Sequence, residues 1–289
     1  MRLGQPGQEP SEPLRMQRGP TFRGGWTAPA GAALAAGCWL WVATANGTDL
    51  SPAEGGDGIP SAQAAVATKL TSSRAAPAQA TEARGDRARR ARRLLAVVRG
   101  ELALSDRPGG PPALRVGPTT EFGSRRILGV AVRRGDWLGV VATERPNNRL
   151  AWVRRNSPGL NLRRTGWSLH ADLSERALTL RKDGRRVHRL AVAIGRPGSE
   201  TPTGRFAVTD KLSGSRFGPY YGCCILALSG HQPNTPPGWT GGDRLAIHGT
   251  DAPSSIGMAA SAGCMRASDA DLRPLMAKVP LGTLVFIRR

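Results

Sequence analysis

Tyrosine occurs only twice in the 289 residues, and aromatic side chains make up 5% of them. So few rings leave no basic–aromatic interleaving of the kind that stacks bases, which argues against a nucleic-acid binder. Carboxylates are scarce too: 21 Asp and Glu stand against 41 Lys and Arg, a formal net charge of +20. Such a surface attracts polyanions, among them anionic lipid and the acidic polymers of a cell wall. Cysteine is limited to Cys38, Cys223, Cys224 and Cys264, with no C-x-x-C pair. A structural zinc site therefore lacks a ligand pattern, and His231 and His248 do not supply one. A bond between neighbours such as Cys223 and Cys224 is strained, so two free thiols on opposite sides of a strand are expected.

What is present begins with an uncharged run over 26–45, preceded by Arg15, Arg18 and Arg23. A basic n-region ahead of an apolar span of about 20 residues is the pattern of an export signal or a retained anchor helix. Ala43-Thr44-Ala45 offers a cleavage site, and both fates stay open. Residues 1–25 read as a basic tail, and 46–112 as a flexible linker rich in Gly, Ala, Ser, Pro and Thr. Within the linker an Arg-rich block, Arg84 to Arg93, runs into Leu94-Leu95-Ala96-Val97-Val98. A basic amphipathic helix over 82–104 is the expectation, suited to an anionic wall or membrane surface.

From 113 the pattern changes to short strands. Leu128 to Val132, Trp137 to Val141 and Leu150 to Val153 are apolar runs. Arg133-Arg134-Gly135-Asp136 and Arg145-Pro146-Asn147-Asn148 supply turns between them. Residues 113–166 read as a small β module with Trp137 and Trp152 as core. A second series over 167–289 includes Ala177 to Leu180 and Val187 to Ile194 around a Lys182-Asp183-Gly184 hairpin turn. Cys224 to Leu228, Arg244 to His248 and Thr283 to Ile287 continue it. One short helix is expected between Ser268 and Lys278, with Ser268 and Asp271 as a capping box. Pro274 is awkward for that start and would suit a helix beginning near Asp271.

The chemistry gathers at His248-Gly249-Thr250 and Ser261-Ala262-Gly263-Cys264-Met265-Arg266. Taken singly, a buried cysteine or histidine is an inert core residue. Together, a base, a thiol and small flanking residues are the parts of a cysteine nucleophile. His248 should sit at a strand tip and Cys264 on an adjacent loop, close enough to hydrogen-bond, with Arg266 and the following helix lowering the thiol pKa. All four histidines precede Cys264, which disfavours a papain-like arrangement.

These residues carry a resemblance. Residues 169–289 are similar to the catalytic domain of the L,D-transpeptidases, the YkuD family. The matches run in order through Ala171-Asp172-Leu173-Ser174, Thr201-Pro202-Thr203-Gly204-Arg205-Phe206, Ala246-Ile247-His248-Gly249-Thr250, Ser255-Ile256-Gly257, Ser261 to Arg266, and Leu281-Gly282-Thr283. The module over 113–166 resembles the SH3-like modules of wall enzymes, and the arrangement is similar to that of actinobacterial members. The resemblance implies a mainly β, β-sandwich-like catalytic domain with one short helix, behind a small SH3-like β module and an N-terminal signal or anchor helix. It implies an extracytoplasmic enzyme acting on peptidoglycan tetrapeptide stems, donor and acceptor, to make 3-3 cross-links. Cys264 would be the nucleophile and His248 the general base. Gly263 and Cys264 amides would form the oxyanion hole, while Ser261, Arg266, Gly249 and Thr250 shape the loop or hold the substrate. No metal or organic cofactor is implied.

The family commonly has histidine where this chain has Ala262. If that position supplies only backbone groups, alanine is tolerated. The alternatives are an L,D-carboxypeptidase using the same site, and a non-catalytic wall-binding protein with a decayed one.

Overall fold

The computed structural model of the chain describes Gly85, residues 91–239 and residues 242–289. The basic tail, the expected signal or anchor helix at 26–45 and most of the expected linker lie outside the described residues. Among the described residues, no helix is long and apolar enough to cross a membrane.

Seven strands form a first sheet: β1 (Arg93–Val98), β2 (Leu102–Ser105), β3 (Pro112–Val116), β4 (Ile127–Arg134), β5 (Trp137–Val141), β6 (Ala151–Arg154) and β7 (Leu160–Thr165), in the order β3-β2-β6-β5-β4-β1-β7. The expected helix over 82–104 is therefore wrong from residue 93 onward. Leu94 to Val98 is a short continuous apolar run, a pattern that does not separate helix from strand. Its partners decide: β1 lies between β4 and β7, antiparallel to both, with Leu95 opposite Gly129 and Arg163. The sheet thus starts 20 residues before the expected boundary at 113. The expected turns do occur, with Gly135 and Asn148 in the left-handed region (φ 54° and 63°). Trp152 is core at 7% exposure, while Trp137 is half-buried beneath the Arg154 guanidinium.

The rest of the chain supplies β8 (Trp167–Asp172), β9 (Ala177–Lys182), β10 (Arg185–Ala191), β11 (Ile194–Gly195), β12 (Gly204–Ser213), β13 (Cys224–His231), β14 (Arg244–His248), β15 (Ala259–Ser261), β16 (Met265–Arg266), helix α1 (Asp269–Lys278) and β17 (Leu284–Arg288). Eight strands pair in the order β10-β9-β8-β17-β12-β13-β14-β16, and β11 pairs with β15 alone. This is the mainly β arrangement with one short helix that the motifs implied. The hairpin at Lys182-Asp183-Gly184 has Asp183 and Gly184 both at positive φ (48° and 79°), as a two-residue turn requires.

Alternation along β12 assigns its two faces. Phe206 and Val208 enter a core with Leu226, Leu228, Ile247 and Met265, closed by Leu272 and Leu275 of α1. Ala207 faces the other way and packs with Leu284 against Val141 of the first sheet. The approach is close: a Cβ on Gly129 would lie 2.7 Å from the Gly282 carbonyl. Asn148 reinforces it by donating to the Thr203 carbonyl (3.1 Å) and accepting from the Arg205 amide (3.2 Å).

Ser268 caps α1 by accepting from the Asp271 amide, as the capping box predicted. The helix nevertheless begins at Asp269, so Pro274 sits inside it rather than in its first turn. Burial of Leu272 and Leu275 holds the helix despite the missing N–H. The expectation of two free thiols also fails: Cys223 and Cys224 are joined in a disulfide. Cys223 precedes β13, next to Gly222 at φ 56°, so strand alternation does not govern that pair.

Candidate active site

β14 brings the histidine to the site by alternation. Leu245 and Ile247 enter the core beneath α1, while Ala246 faces the side where Cys264 and Tyr221 pack. His248 ends the strand, fully buried. β16 runs parallel beside it, pairing Ile247 with Met265 and His248 with Arg266. Cys264 immediately precedes β16, so the pairing carries the cysteine loop alongside the histidine strand. His248 and Cys264 line one cavity of about 40 Å³ with Tyr220, Tyr221, Arg244 and Ala262.

His248 Nδ1 lies 2.6 Å from the Gly249 carbonyl oxygen. A carbonyl only accepts, so Nδ1 carries the proton and Nε2 presents its lone pair. Nε2 is buried with no partner among the described residues. Burial is the main force lowering the imidazole to about 4; the Gly249 bond opposes the shift and Arg266 adds to it. The Cys264 thiol is pushed up to about 11 by burial, against the opposing effects of a backbone hydrogen bond and Arg266. The expected lowering of the thiol therefore does not occur. Arg266 acts in the expected direction and is outweighed, and α1 opens with Ser268 as its cap and Asp269 and Asp271 in its first turn. The thiol donates to the Arg244 carbonyl (3.7 Å), and among the described residues no hydrogen bond joins it to His248. The resting pair is a neutral thiol and a neutral imidazole.

The loop carrying Cys264 is held from three sides. Ser261 Oγ donates to the Cys264 carbonyl (2.5 Å) and accepts from the Gly263 amide (3.1 Å). Thr201 Oγ1 donates to the Gly263 carbonyl and accepts from the Gly195 amide, both at 2.8 Å. Gln232 Nε2 reaches the carbonyls of Ser199 and Glu200 (3.1 Å each) and of Ala262 (3.2 Å). Gly263 has φ 122°, and a Cβ there would lie 2.0 Å from Gln232 Nε2, so the position accepts only glycine. The Gly263 amide is thus committed to Ser261. The Cys264 amide makes no hydrogen bond among the described residues.

Arg266 is 9% exposed, sits against the Tyr220 ring (4.6 Å to the centroid) and donates to the Tyr220 hydroxyl. It has no carboxylate partner among the described residues. Tyr221 and Tyr220 pack on the His248 ring at 4.8 and 5.6 Å between centroids. Gly249 and Thr250 lie off the cavity. A Cβ on Gly249 would strike Asp269 Oδ1 (2.4 Å), which accepts from the Cys223 amide, and Thr250 Oγ1 accepts from the Ala252 amide.

The first sheet reaches into this arrangement. Asn147 donates to the His231 carbonyl (2.6 Å) and accepts from its amide (2.9 Å), fixing the residue before Gln232. Glu121 pairs with the Arg244 side chain, whose own carbonyl accepts from the thiol. Of the residues singled out in the sequence, the structure brings Cys264, His248 and Ala262 to the cavity, with Ser261, Gly263 and Arg266 directly behind. It adds Tyr220, Tyr221, Gln232 and Arg244. Thr201 stood in a quoted motif without a role, and nothing in the sequence marks Gln232.

A family model described as the L,D-transpeptidase catalytic domain matches residues 166–287. The protein YkuD of Bacillus licheniformis is 30% identical over 180 residues, spanning 56% of this chain and 99% of its own. YkuD of Bacillus subtilis is 32% identical over 125 residues, 43% of this chain and 66% of that protein. Among solved structures, L,D-transpeptidase 3 from Mycobacterium tuberculosis, carrying a faropenem-derived adduct, is 18% identical with a TM-score of 0.36, covering 48% of this chain and 73% of that one.

Proposed function

The chain belongs to the L,D-transpeptidase (YkuD) family, and from that premise we propose that it forms 3-3 peptidoglycan cross-links through a Cys264 thioester. The observation that carries the reading is the open Nε2 of a buried, Nδ1-anchored His248 in the same cavity as Cys264. When a tetrapeptide stem enters, the thiol leaves the Arg244 carbonyl, and Nε2 takes its proton as sulfur attacks the carbonyl carbon of the third residue. The Cys264 amide donates to the developing oxyanion. Collapse breaks the C–N bond, and the imidazolium returns the proton to the departing D-alanine amine. An acceptor amine then gives a proton to Nε2, attacks the thioester and releases the thiol.

Arg266, buried with Tyr220 and lacking a carboxylate, holds a carboxylate of the stem; an unpaired buried cation is costly until such a partner arrives. Ala262 contributes its carbonyl to Gln232, which supports a backbone role at the position where the family has histidine. We place the enzyme outside the cytoplasm, delivered by the 26–45 run as signal or anchor. The Cys223–Cys224 bond supports an oxidising compartment. The SH3-like reading of the first sheet rests on its sequence runs, and we assign that sheet the support of Gln232 and Arg244.

The test is incubation of the protein with disaccharide-tetrapeptide, reading products by mass. Cross-linked dimer is expected, and Cys264→Ala should give none. Tripeptide alone would make it an L,D-carboxypeptidase, and unchanged substrate with wild type would leave only wall binding.

A further inference from the structure

We propose that the first sheet carries a groove for a linear polyanion where the core-facing side of β1, β5 and β7 opens to solvent. A concavity of about 360 Å³ there is edged by Arg133, Arg155, Arg163 and Arg164. Its floor is apolar, made by Leu94 of β1, Leu138 of β5 and Leu162 of β7. None of these four arginines is in an ion pair among the described residues. Arg92, Arg115, Arg126, Arg145, Arg189, Arg244 and Arg288 each have an acidic partner. Four unneutralised guanidiniums around one hollow repel each other and focus positive potential into it.

The hollow continues. Arg164 also lines an adjoining concavity of about 370 Å³, which passes Arg92 and Lys182. Asp183 is the one carboxylate lining either hollow.

The layout selects the ligand. Arg133 on β4 and Arg164 on β7 are separated by two strand spacings across β1, which alone is about 10 Å, and by a further offset along the strands. A single phosphate does not span that distance, whereas a chain of anionic groups does, and each guanidinium fork suits a phosphate or carboxylate. Bases find no platform: the first hollow has no ring, and in the second the Trp167 face is covered by the Lys182 ammonium at 4.6 Å. A bilayer finds no exposed large apolar side chain to receive: among the described residues these are Phe122, Val187, Phe217, Trp239 and Met258, none of them on the lining. The occupant is a linear phosphate-bearing polymer, such as an acidic wall polymer. Its source rests on the extracytoplasmic reading, and the groove's chemistry does not.

With so basic a chain, the test must separate a groove from diffuse charge. Labelled linear polyphosphate of defined length is titrated against the intact protein and two charge-matched variants. One carries Arg133→Gln, Arg155→Gln, Arg163→Gln and Arg164→Gln; the other carries Arg107→Gln, Arg149→Gln, Arg185→Gln and Arg186→Gln. The groove variant is expected to lose more than about tenfold in affinity, and its slope of log Kd against log salt to fall by roughly 3. The second variant should change less than about threefold. β-Lactam acylation of Cys264 should be unchanged in both, so a failed groove and a failed catalytic reading remain distinct. Equal losses in the two variants would overturn the proposal. So would inorganic phosphate competing as well as the polymer, or tighter binding of a single-stranded oligonucleotide or phosphatidylglycerol vesicles.

Discussion

At the scale of single residues, the site depends on two neutral groups that become charged only during reaction. Burial holds the Cys264 thiol at about 11 and the His248 imidazole at about 4. Alkylation of Cys264 by iodoacetamide should therefore be slow at neutral pH and rise along a single curve centred near 11. A reactive thiolate already present at pH 6 would contradict this resting state. Gln232 is the next test. Gln232→Ala leaves the Ser199, Glu200 and Ala262 carbonyls without their donor, so a loss of about 1–3 kcal/mol in stability is expected. If Gln232 positions the loop, the rate of acylation at saturating β-lactam should fall while thermal folding stays cooperative. A loss of stability with no change in that rate would reduce Gln232 to a structural role. Of these residues, His248, Cys264 and the small positions around them were legible in the sequence, because nucleophile chemistry constrains residue types within a short run. Gln232, Tyr220 and Tyr221 were not, since they arrive from a strand end and a turn with no periodic signal.

At the scale of elements, strands outlined by turn chemistry were readable, and those defined by their partners were not. Asn148 and the Asp183-Gly184 pair mark turns through left-handed backbone, and the strands beside them appear where expected. β1 was misread because Leu94 to Val98 suits either helix or strand until β4 and β7 flank it. Cys223 and Cys224 were misread because the turn at Gly222 interrupts the alternation assumed for them. α1 shows a local rule overridden by packing. Its capping box is satisfied, yet Pro274 lies inside the helix because Leu272 and Leu275 are needed in the core. An interior proline costs a helix ~3 kcal/mol, and replacing it frees the unfolded chain by up to about 1 kcal/mol. Pro274→Ala should thus stabilise the protein by about 2 kcal/mol, read as a higher denaturant midpoint with an unchanged slope. A lower midpoint would mean that the pyrrolidine ring packs usefully.

At the scale of the whole molecule, the two sheets form a single support for the reaction. The first sheet reaches the catalytic loop through Asn147 and Glu121, a role that strand patterns do not reveal because it lies in turns. Global stability should also respond to acid through His248, fully buried, and His170, half-buried on β8. His248 and His170 both have folded values of about 4 against 6.5. Between those values the unfolded chain binds protons that the folded rings refuse, so stability is full above 6.5 and falls as pH drops through 4. His248 alone accounts for about 3 kcal/mol of that loss. Denaturant titrations at pH 7, 5 and 4 measure the slope, and a flat profile would contradict the neutral, buried imidazole. The central claim, a thioester formed at Cys264 with His248 as its base, is tested most directly by intact-protein mass after mixing with disaccharide-tetrapeptide. The account predicts a covalent tripeptide adduct on wild type with release of D-alanine, none on Cys264→Ala, and formation slowed about 100-fold or more on His248→Ala. An adduct that persists on Cys264→Ala, or forms at the wild-type rate on His248→Ala, would contradict it.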